Sequence, residues 1–259
     1  MELSEEQFRR YARHLILDEV GEEGQERLLE SRVLVIGAGG LGSPLLMYLA
    51  AAGVGTIGIV DDDRVDITNL QRQIVHATSR LGDRKVESAA ESLARINDGV
   101  RIETHPVRLV ADNAAALVAR YDLVADGSDN FTTRYLLNDV CTQLGKPLVA
   151  GALSPFEGQL STFKAHLGDG HPCYRCLFRE PPPPGLVPRC EEAGILGAVA
   201  GVIGTLQAVE VLKEVLGLGE SLDGTLLIYD ALRVRFHRIR ITKDTDCPTC
   251  GVAALASHA

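Results

Sequence analysis

A glycine-rich loop and two isolated cations are the residues of this chain whose types and spacing favour phosphate chemistry. The loop holds Gly37, Gly39, Gly40 and Gly42 in a Gly-x-Gly-x-x-Gly pattern, directly after the apolar run 33–36. A strand, a glycine turn and a helix start in this order hold phosphate on backbone N–H groups and the helix N-terminus. Arg72 follows within Asn69-Leu70-Gln71-Arg72-Gln73, and Lys85 comes thirteen residues later at a predicted helix start. These parts predict a site that neutralises a triphosphate.

The loop alone is typical of NAD and FAD sites as well, so the polar residues around it must distinguish them. Asp61, at the end of the apolar run 56–60, is placed to accept hydrogen bonds from ribose hydroxyls in any of these sites. Asp129, within the segment 126–130, is a candidate Mg²⁺ contact, because Mg²⁺ usually takes one or two carboxylates plus phosphate oxygens. Hydride transfer has no use for that carboxylate or for the two cations. These residues favour a site for a triphosphate, and an NAD-dependent oxidoreductase is the alternative.

Apolar runs that alternate with helical stripes must position these residues. The predicted strands are 33–36, 56–60, 100–104, 122–125 and 147–150, and the predicted helices are 41–52, 86–96, 114–119 and 131–144. Alternation at this spacing indicates a doubly wound sheet. After Gly151, the β segments 157–165 and 225–241 indicate an antiparallel extension. The predicted fold class is α/β, a Rossmann-like doubly wound, mostly parallel sheet extended by antiparallel strands in the C-terminal half.

Length, composition and charge describe an ordinary globular chain. It has 259 residues, 46% hydrophobic and 24% charged, with a formal net charge of −9 and a pI near 5.3. This acidic balance argues against a nucleic-acid or membrane-surface binder, whose affinity comes from a basic patch. Residues 1–6 form no signal peptide, and the apolar run 195–206 is too short for a membrane span. We expect a cytoplasmic protein in which that run is a buried helix, closely packed at Gly197 and Gly201.

Six cysteines divide into two Cys-x-x-Cys pairs and two single residues. Cys173 with Cys176 and Cys247 with Cys250 each offer two thiolates, and four sulfurs suit tetrahedral Zn²⁺. Because 70 residues separate the pairs, spacing does not show that they meet, and two independent pairs of reduced thiols are the alternative. Without a signal peptide, disulfides are not expected. Cys141, in an apolar helical pattern, is predicted to be a small buried side chain.

As a set, the motifs resemble the MoeB/ThiF adenylyltransferases, bacterial relatives of the ubiquitin-activating enzymes, over nearly the whole chain. The matching segments are 10–14, 37–42, 69–73, Lys85, 126–130, 173–176, 190–194 and 247–250. The resemblance implies Mg-ATP-dependent adenylation of the C-terminal glycine of a small ubiquitin-like sulfur carrier that ends in Gly-Gly, with release of pyrophosphate. It also implies a homodimer in which Arg13 is supplied to the neighbouring subunit's ATP.

The resemblance assigns further roles within one predicted domain. Its parts are an N-terminal helical arm (1–30), a nucleotide-binding half (31–150) and a zinc-containing, carrier-binding half (151–259). The implied catalytic residues are Arg13, Arg72, Lys85 and Asp129, and the nucleotide contacts also include Asn69, Gln73 and Asn130. The cysteine corresponding to Cys190 forms a covalent link with the carrier in some relatives and is dispensable in MoeB-like members. The carrier is expected to be MoaD-like, from molybdopterin synthesis, with the thiazole-pathway carrier ThiS as the alternative.

Several of these residues have simpler explanations. Arg72 and Lys85 could also be surface charges, and Asp61 could be a helix cap or a turn residue. Asp126 and Asp129 could both be turn formers around Gly127. Arg13 belongs to a basic cluster that a solvated face explains nearly as well. The basic run 233–240 is either a docking face for an acidic carrier or a solvated strand. A non-catalytic carrier-binding scaffold is the third functional alternative. Because only nine residues follow Cys250, a separate sulfurtransferase is an expected partner.

Overall fold

The computed structural model describes residues 3–183 and 193–251, whose framework is one eight-stranded mixed sheet. The strands are β1 (Arg32–Ile36), β2 (Thr56–Val60), β3 (Arg101–His105), β4 (Leu123–Asp126), β5 (Leu148–Leu153), β6 (Glu157–Phe163), β7 (Thr225–Asp230) and β8 (Arg235–Arg240). Their order is β3-β2-β1-β4-β5-β6-β7-β8. Adjacent strands are parallel in the part β3-β2-β1-β4-β5 of the sheet. They are antiparallel in the part β5-β6-β7-β8. The predicted fold class is confirmed.

Helices cover both faces of the sheet. The described helices are α1 (Glu5–Arg10), α2 (Ala12–Leu15), α3 (Gly21–Glu30), α4 (Gly42–Ala52), α5 (Lys85–Ile96), α6 (Ala111–Val118), α7 (Phe131–Leu144), α8 (Tyr174–Leu177) and α9 (Gly197–Leu216). Side chains alternate along β1, so Val33 and Val35 join the core beneath α4, α5 and α9, whereas Leu34 and Ile36 join the core beneath α6 and α7. The two-sided burial explains why β1 has a continuous apolar sequence.

The strand order reverses between β1 and β4, and this point positions the polar motifs. Ile36, the last residue of β1, is in register with Val60 of β2 and with Asp126 of β4. Three parallel strands therefore end level with one another. The glycine-rich loop, Asp61 and the segment 126–130 follow those ends, in the crevice where doubly wound sheets bind ligands.

The apolar helix α9 packs closely at two glycines, but Gly201 is not one of them. A Cβ at Gly204 would lie 2.3 Å from the Leu41 carbonyl oxygen, and one at Gly197 would lie 2.4 Å from that of Gln71. Apart from the adjacent residues and the local helix backbone, no described atom lies within 4 Å of a Cβ at Gly201. Within the described residues, the close packing expected at Gly201 is therefore not found.

The C-terminal segment 225–241 forms a hairpin of β7 and β8 at one edge of the sheet. All six residues of β8 are exposed, so its basic side chains form a solvated face. A role of this face in docking, like the division of the chain into three parts, stays a prediction. No helix in 3–183 or 193–251 combines the length and hydrophobicity that a membrane crossing requires.

Candidate active site

The glycine-rich loop turns sharply from β1 into α4. Gly37 has a φ of 91°, a backbone conformation that favours glycine. A Cβ at Gly42 would lie 1.9 Å from the Gly37 carbonyl oxygen, so only glycine allows α4 to begin this close to the strand. The loop therefore brings the N-terminus of α4, the positive end of its dipole, to the crevice.

Ala38, in the middle of the loop, is held from both sides. Its N–H donates to Asp61 Oδ2 at 2.8 Å, and its carbonyl accepts from His76 Nε2 at 2.8 Å. Because Nε2 carries the donated proton, His76 Nδ1 accepts from the Ser88 hydroxyl at 2.9 Å. Burial lowers the pKa of His76, which favours the neutral ring that this hydrogen-bond pattern requires. Sequence reasoning missed His76, which lies three residues after Gln73 with no motif of its own.

Asp61 also forms a turn of its own. Its Oδ1 accepts from the Asp63 N–H at 2.9 Å, so the interpretation of Asp61 as a turn residue is correct. Burial raises the pKa of Asp61, and the charge of Lys85 opposes that rise. Each carboxylate oxygen has two lone pairs, which leaves acceptor capacity for a ribose hydroxyl. The ribose contact stays a prediction.

The segment 69–73 lies over the glycine-rich loop. A Cβ at Gly39 would lie 3.6 Å from Gln73 Nε2, and one at Gly40 would lie 3.5 Å from Arg72 Cγ. Gln73 is 4% exposed, and its Oε1 has no hydrogen-bond partner within the described residues. A buried amide oxygen without a partner is costly, so this geometry fits a ligand or an ordered water at the loop.

The two cations differ in burial. The Lys85 side chain is 5% exposed and its Nζ lies 2.8 Å from Asp63 Oδ2, so the surface-charge interpretation is wrong for Lys85. A lysine at this depth needs an anion, and Asp63 supplies one. Arg72 is half-exposed and donates from Nη1 to the Thr68 carbonyl at 3.2 Å. Its other donors have no hydrogen-bond partner in 3–183 or 193–251, so they are available to an anion.

The segment 126–130 closes the other side of the crevice. Asp126 is fully buried, and its Oδ1 accepts from the Ser128 N–H at 2.8 Å, which confirms its interpretation as a turn former. Burial raises the pKa of Asp126. Asn130 caps α7 by accepting from the Thr133 N–H at 2.9 Å. Asp129 is exposed and has no hydrogen bond or ion pair among the residues the structure describes, so its carboxylate is free for a cation.

Gln207 of α9 is a second residue that sequence reasoning missed. It is fully buried, and its Nε2 donates to the carbonyls of Asp126 at 2.8 Å and Val149 at 3.3 Å. In the sequence, Gln207 only interrupts an apolar run. In the fold, it ties α9 to the last residue of β4 and to the second residue of β5.

Arg13 lies away from the loop of its own chain. It is exposed on α2, and the described part of the chain gives it no hydrogen bond or ion pair. The nearby Tyr11 hydroxyl contacts Gly53, the C-cap of α4, where a Cβ would lie 2.5 Å from it. The loop is at the opposite end of α4, which has 11 residues and is about 16 Å long. The fold therefore does not assemble Arg13 with the other cations within one chain.

The two Cys-x-x-Cys pairs meet in one cluster. The Sγ atoms of Cys173 and Cys247 are 3.5 Å apart, those of Cys176 and Cys250 are 3.4 Å apart, and all four lie within 4.8 Å of one another. Tetrahedral zinc with bonds of about 2.3 Å places its sulfurs about 3.8 Å apart, whereas a disulfide bond is about 2 Å long. The alternative of two independent pairs is wrong, and the four sulfurs fit Zn²⁺.

Two cysteines, Cys141 and Cys190, do not belong to the cluster's Cys-x-x-Cys pairs. Cys141 is buried and free, as predicted, and burial raises the pKa of its thiol. A buried thiol with a raised pKa is inert. Cys190 lies outside the described residues, so its covalent role stays a prediction.

The family model described as the ThiF family matches residues 11–249. This chain belongs to the ThiF family. It is 50% identical over 253 residues to the sulfur carrier protein adenylyltransferase of Thermus thermophilus, covering 97% of this chain and 93% of that relative. It is 51% identical over 257 residues to the SAMP-activating enzyme E1 of Haloferax volcanii, covering 99% and 94%. The structure of E. coli MccB with ATP matches with a TM-score of 0.77 at 17% identity, over 96% of this chain and 82% of MccB.

Membership of the ThiF family confirms the predicted resemblance. The curated relatives named here are an adenylyltransferase and an activating enzyme, which confirms the predicted enzyme class and disfavours an oxidoreductase. The likeness to MccB shows that this ThiF-family fold is shared at low sequence identity.

Proposed function

We propose that this ThiF-family protein uses Mg-ATP to adenylate the C-terminal glycine of a small ubiquitin-like sulfur carrier. The supporting observation is the crevice between β1 and β4, which is bordered by the glycine loop, buried Lys85, and the segments that carry Arg72 and Asp129. Among the described residues, both of these side chains have polar atoms without a partner. A dinucleotide site needs the loop and Asp61 but not the other three. The activity named for the close relatives supports the same conclusion.

The proposed reaction brings two anions together. The carrier's terminal carboxylate attacks the α-phosphorus of ATP, a mixed carboxylic–phosphoric anhydride bond forms, and the bond to the pyrophosphate leaving group breaks. Lys85, Arg72 and the loop N–H groups hold the phosphates and stabilise the charge that develops in transfer. Asp129 would hold Mg²⁺, which neutralises phosphate charge when bound. We assign Arg13 to the ATP of a neighbouring subunit in a homodimer.

The partners follow from the same proposal. We assign a MoaD-like carrier of molybdopterin synthesis, with the thiazole-pathway carrier ThiS as the second candidate. A separate sulfurtransferase would supply the sulfur. The cysteine cluster would hold structural Zn²⁺ at Cys173, Cys176, Cys247 and Cys250, whose sulfurs have the separation that this ion requires.

Pyrophosphate exchange into ATP tests the function, because only an adenylating enzyme reverses this reaction. We expect exchange with Mg-ATP and a carrier that ends in Gly-Gly, and a mass increase of one adenylate on the carrier. Removal of the carrier's last glycine should abolish both signals, since the nucleophile must reach the α-phosphate along a narrow path. Parallel assays with MoaD-like and ThiS-like carriers identify the pathway. Exchange that is undiminished by the deletion would refute the proposal, and its absence with every carrier would favour a scaffold.

A further inference from the structure

A single carboxylate joins the two Cys-x-x-Cys segments. Asp139, in the middle of α7, accepts from Arg175 Nε at 3.0 Å and from Arg175 Nη2 at 2.8 Å. It also accepts from the Thr249 hydroxyl at 2.7 Å. Arg175 lies between the first two cysteines of the cluster and Thr249 between the last two. One side chain thus contacts the intervening residues of both pairs.

The first segment is docked on α7 by neighbours of Asp139. The side-chain oxygen Oδ1 of Asn138 accepts from the Tyr174 N–H at 2.7 Å, and the side-chain nitrogen Nδ2 of Asn138 donates to Asp139 Oδ1 at 3.0 Å. The Arg175 guanidinium lies 4.5 Å from the centroid of the Tyr135 ring. Positions 135, 138 and 139 share one helical face, because residues three and four apart are neighbours on a helix. That face of α7 is the platform for the cluster.

We infer that Asp139 is a positioning residue of the cysteine cluster, which holds the two segments at metal-binding separation and thereby sets how firmly the ion is retained. The inference rests on the zinc site proposed above. The pairs are 70 residues apart in the chain, so bringing them together has an entropic cost. A bidentate Arg–carboxylate pair plus a hydroxyl bond offsets part of that cost independently of the ion. Residues that orient metal ligands typically affect metal affinity 10- to 100-fold.

A second ion pair between the same segments provides a matched control. Arg179 Nη1 lies 2.6 Å from Asp244 Oδ2, with side chains that are 58% and 31% exposed. Neither residue lies within a Cys-x-x-Cys pair. An exposed ion pair contributes little to stability, so Arg179→Gln should leave the cluster nearly unchanged.

The test measures zinc content and the rate of zinc release to a colorimetric chelator, on the full-length zinc-loaded protein. We expect about one zinc per chain in the wild type. Asp139→Ala should release zinc about 10-fold faster, at the lower end of the range for such residues. Thr249→Val, which keeps the size of the side chain and removes the donor, should show a smaller increase. The double variant should be no faster than Asp139→Ala, because the Thr249 hydroxyl acts through Asp139. Arg179→Gln should match the wild type.

The inference would be overturned if Asp139→Ala released zinc at the wild-type rate. It would also be overturned if Arg179→Gln accelerated zinc release as much as Asp139→Ala does. If Asp139→Ala does not fold, the Thr249→Val variant tests the inference instead. Zinc release from Thr249→Val at the wild-type rate would then refute the positioning role of Asp139. If Asp139 only stabilised the fold, Asp139→Ala would lower the stability of the zinc-free protein to urea and leave the rate of zinc release unchanged. A wild type without zinc would overturn the zinc proposal itself, whereas pyrophosphate exchange tests adenylation separately.

Discussion

At the scale of single residues, two neighbours in the segment 126–130 have separate tasks. Asn130 caps α7, whereas Asp129 is exposed and has no partner within the described ranges. We predict that Asp129→Ala lowers carrier-dependent pyrophosphate exchange by about 100-fold or more, the typical effect of losing one preorganised electrostatic contact. Its urea unfolding should match the wild type, because the side chain makes no contact that folding needs. Asp112→Ala, which removes an exposed aspartate of α6, is the control and should exchange normally. Near wild-type exchange by Asp129→Ala would show that Asp129 is not the metal contact.

The lowered pKa of His76 leads us to predict that the stability of the fold depends on pH. The pKa of His76 in the folded protein is lowered by burial, below the value of about 6.5 in an unfolded chain. As the pH falls below about 6.5, the unfolded chain binds a proton at His76 that the folded chain does not. Stability therefore falls with pH, by at most about 1.4 kcal/mol per pH unit, until the folded pKa is reached. Stability is retained at higher pH, where the ring is neutral in both states.

Urea unfolding at about pH 7 and about pH 5.5 measures this effect. His76→Gln keeps an amide donor and an acceptor but cannot titrate. Its loss of stability between the two pH values should be smaller than that of the wild type. Equal losses in both proteins would mean that other groups account for the pH dependence.

At the scale of elements, the packing of α9 on α4 depends on which helical glycine faces the contact. A Cβ at Gly204 would lie 2.3 Å from the Leu41 carbonyl oxygen and 2.6 Å from Pro44 Cγ. We predict that Gly204→Ala lowers the free energy of unfolding by about 1–3 kcal/mol, because it overpacks this interface. Gly201→Ala, on the same helix, should raise it by up to about 1 kcal/mol through helix propensity. Urea denaturation of both variants measures the difference. Equal effects would show that α9 does not depend on close contact at Gly204.

Helix α7 connects two parts of the molecule that sequence motifs present as unrelated. Its N-terminus is capped by Asn130 at the crevice, and its middle carries Asn138 and Asp139 against the cysteine cluster. The predicted bounds of this helix, 131–144, agree with the structure because its apolar stripe is long and the following Gly145 has the positive φ of a C-cap. The lateral contacts of α7 have no sequence signal, since they join residues far apart in the chain.

At the scale of the whole molecule, the position of Arg13 requires a second subunit for its predicted role. An arginine at the far end of α4 does not reach the loop of its own chain. We predict that an Arg13→Ala chain and an Asp129→Ala chain, each nearly inactive alone, rescue each other after subunit exchange. In the hybrid dimer, one site carries both lesions and the other carries neither, as closed two-fold symmetry dictates. About half of the hybrid's sites should therefore be active in pyrophosphate exchange.

This mixing experiment requires a control that verifies that the two kinds of chain have exchanged to form hybrid dimers. Chains with distinct affinity tags allow the hybrid to be isolated and its composition verified. A contact within one chain would give two singly damaged sites in every hybrid. Verified hybrids with only the background activity of the parents would therefore exclude action between subunits.

Local sequence patterns were enough to predict the order and type of the main elements, the residue types of the site and the family. Alternation and helical stripes are short-range patterns, so they locate strands and helices such as β2 and α7 without knowledge of their neighbours. The hairpin of β7 and β8 was predicted only as one β segment, because no glycine or proline marks its turn at Val234, which has a φ of 52°. The chemistry of the glycine loop and of each Cys-x-x-Cys pair is equally local.

Which of these residues contact one another, and how deeply each is buried, became apparent only from the folded chain. The fold buried Lys85 beside Asp63, brought His76 onto Ala38 and joined the four cysteines in one cluster. It also separated Arg13 from the loop of its own chain. The physical reason is that burial and long-range contacts depend on how helices pack against the sheet, and that packing is a property of the whole chain. A local pattern specifies what a side chain is able to bind, whereas only the fold determines what lies beside it.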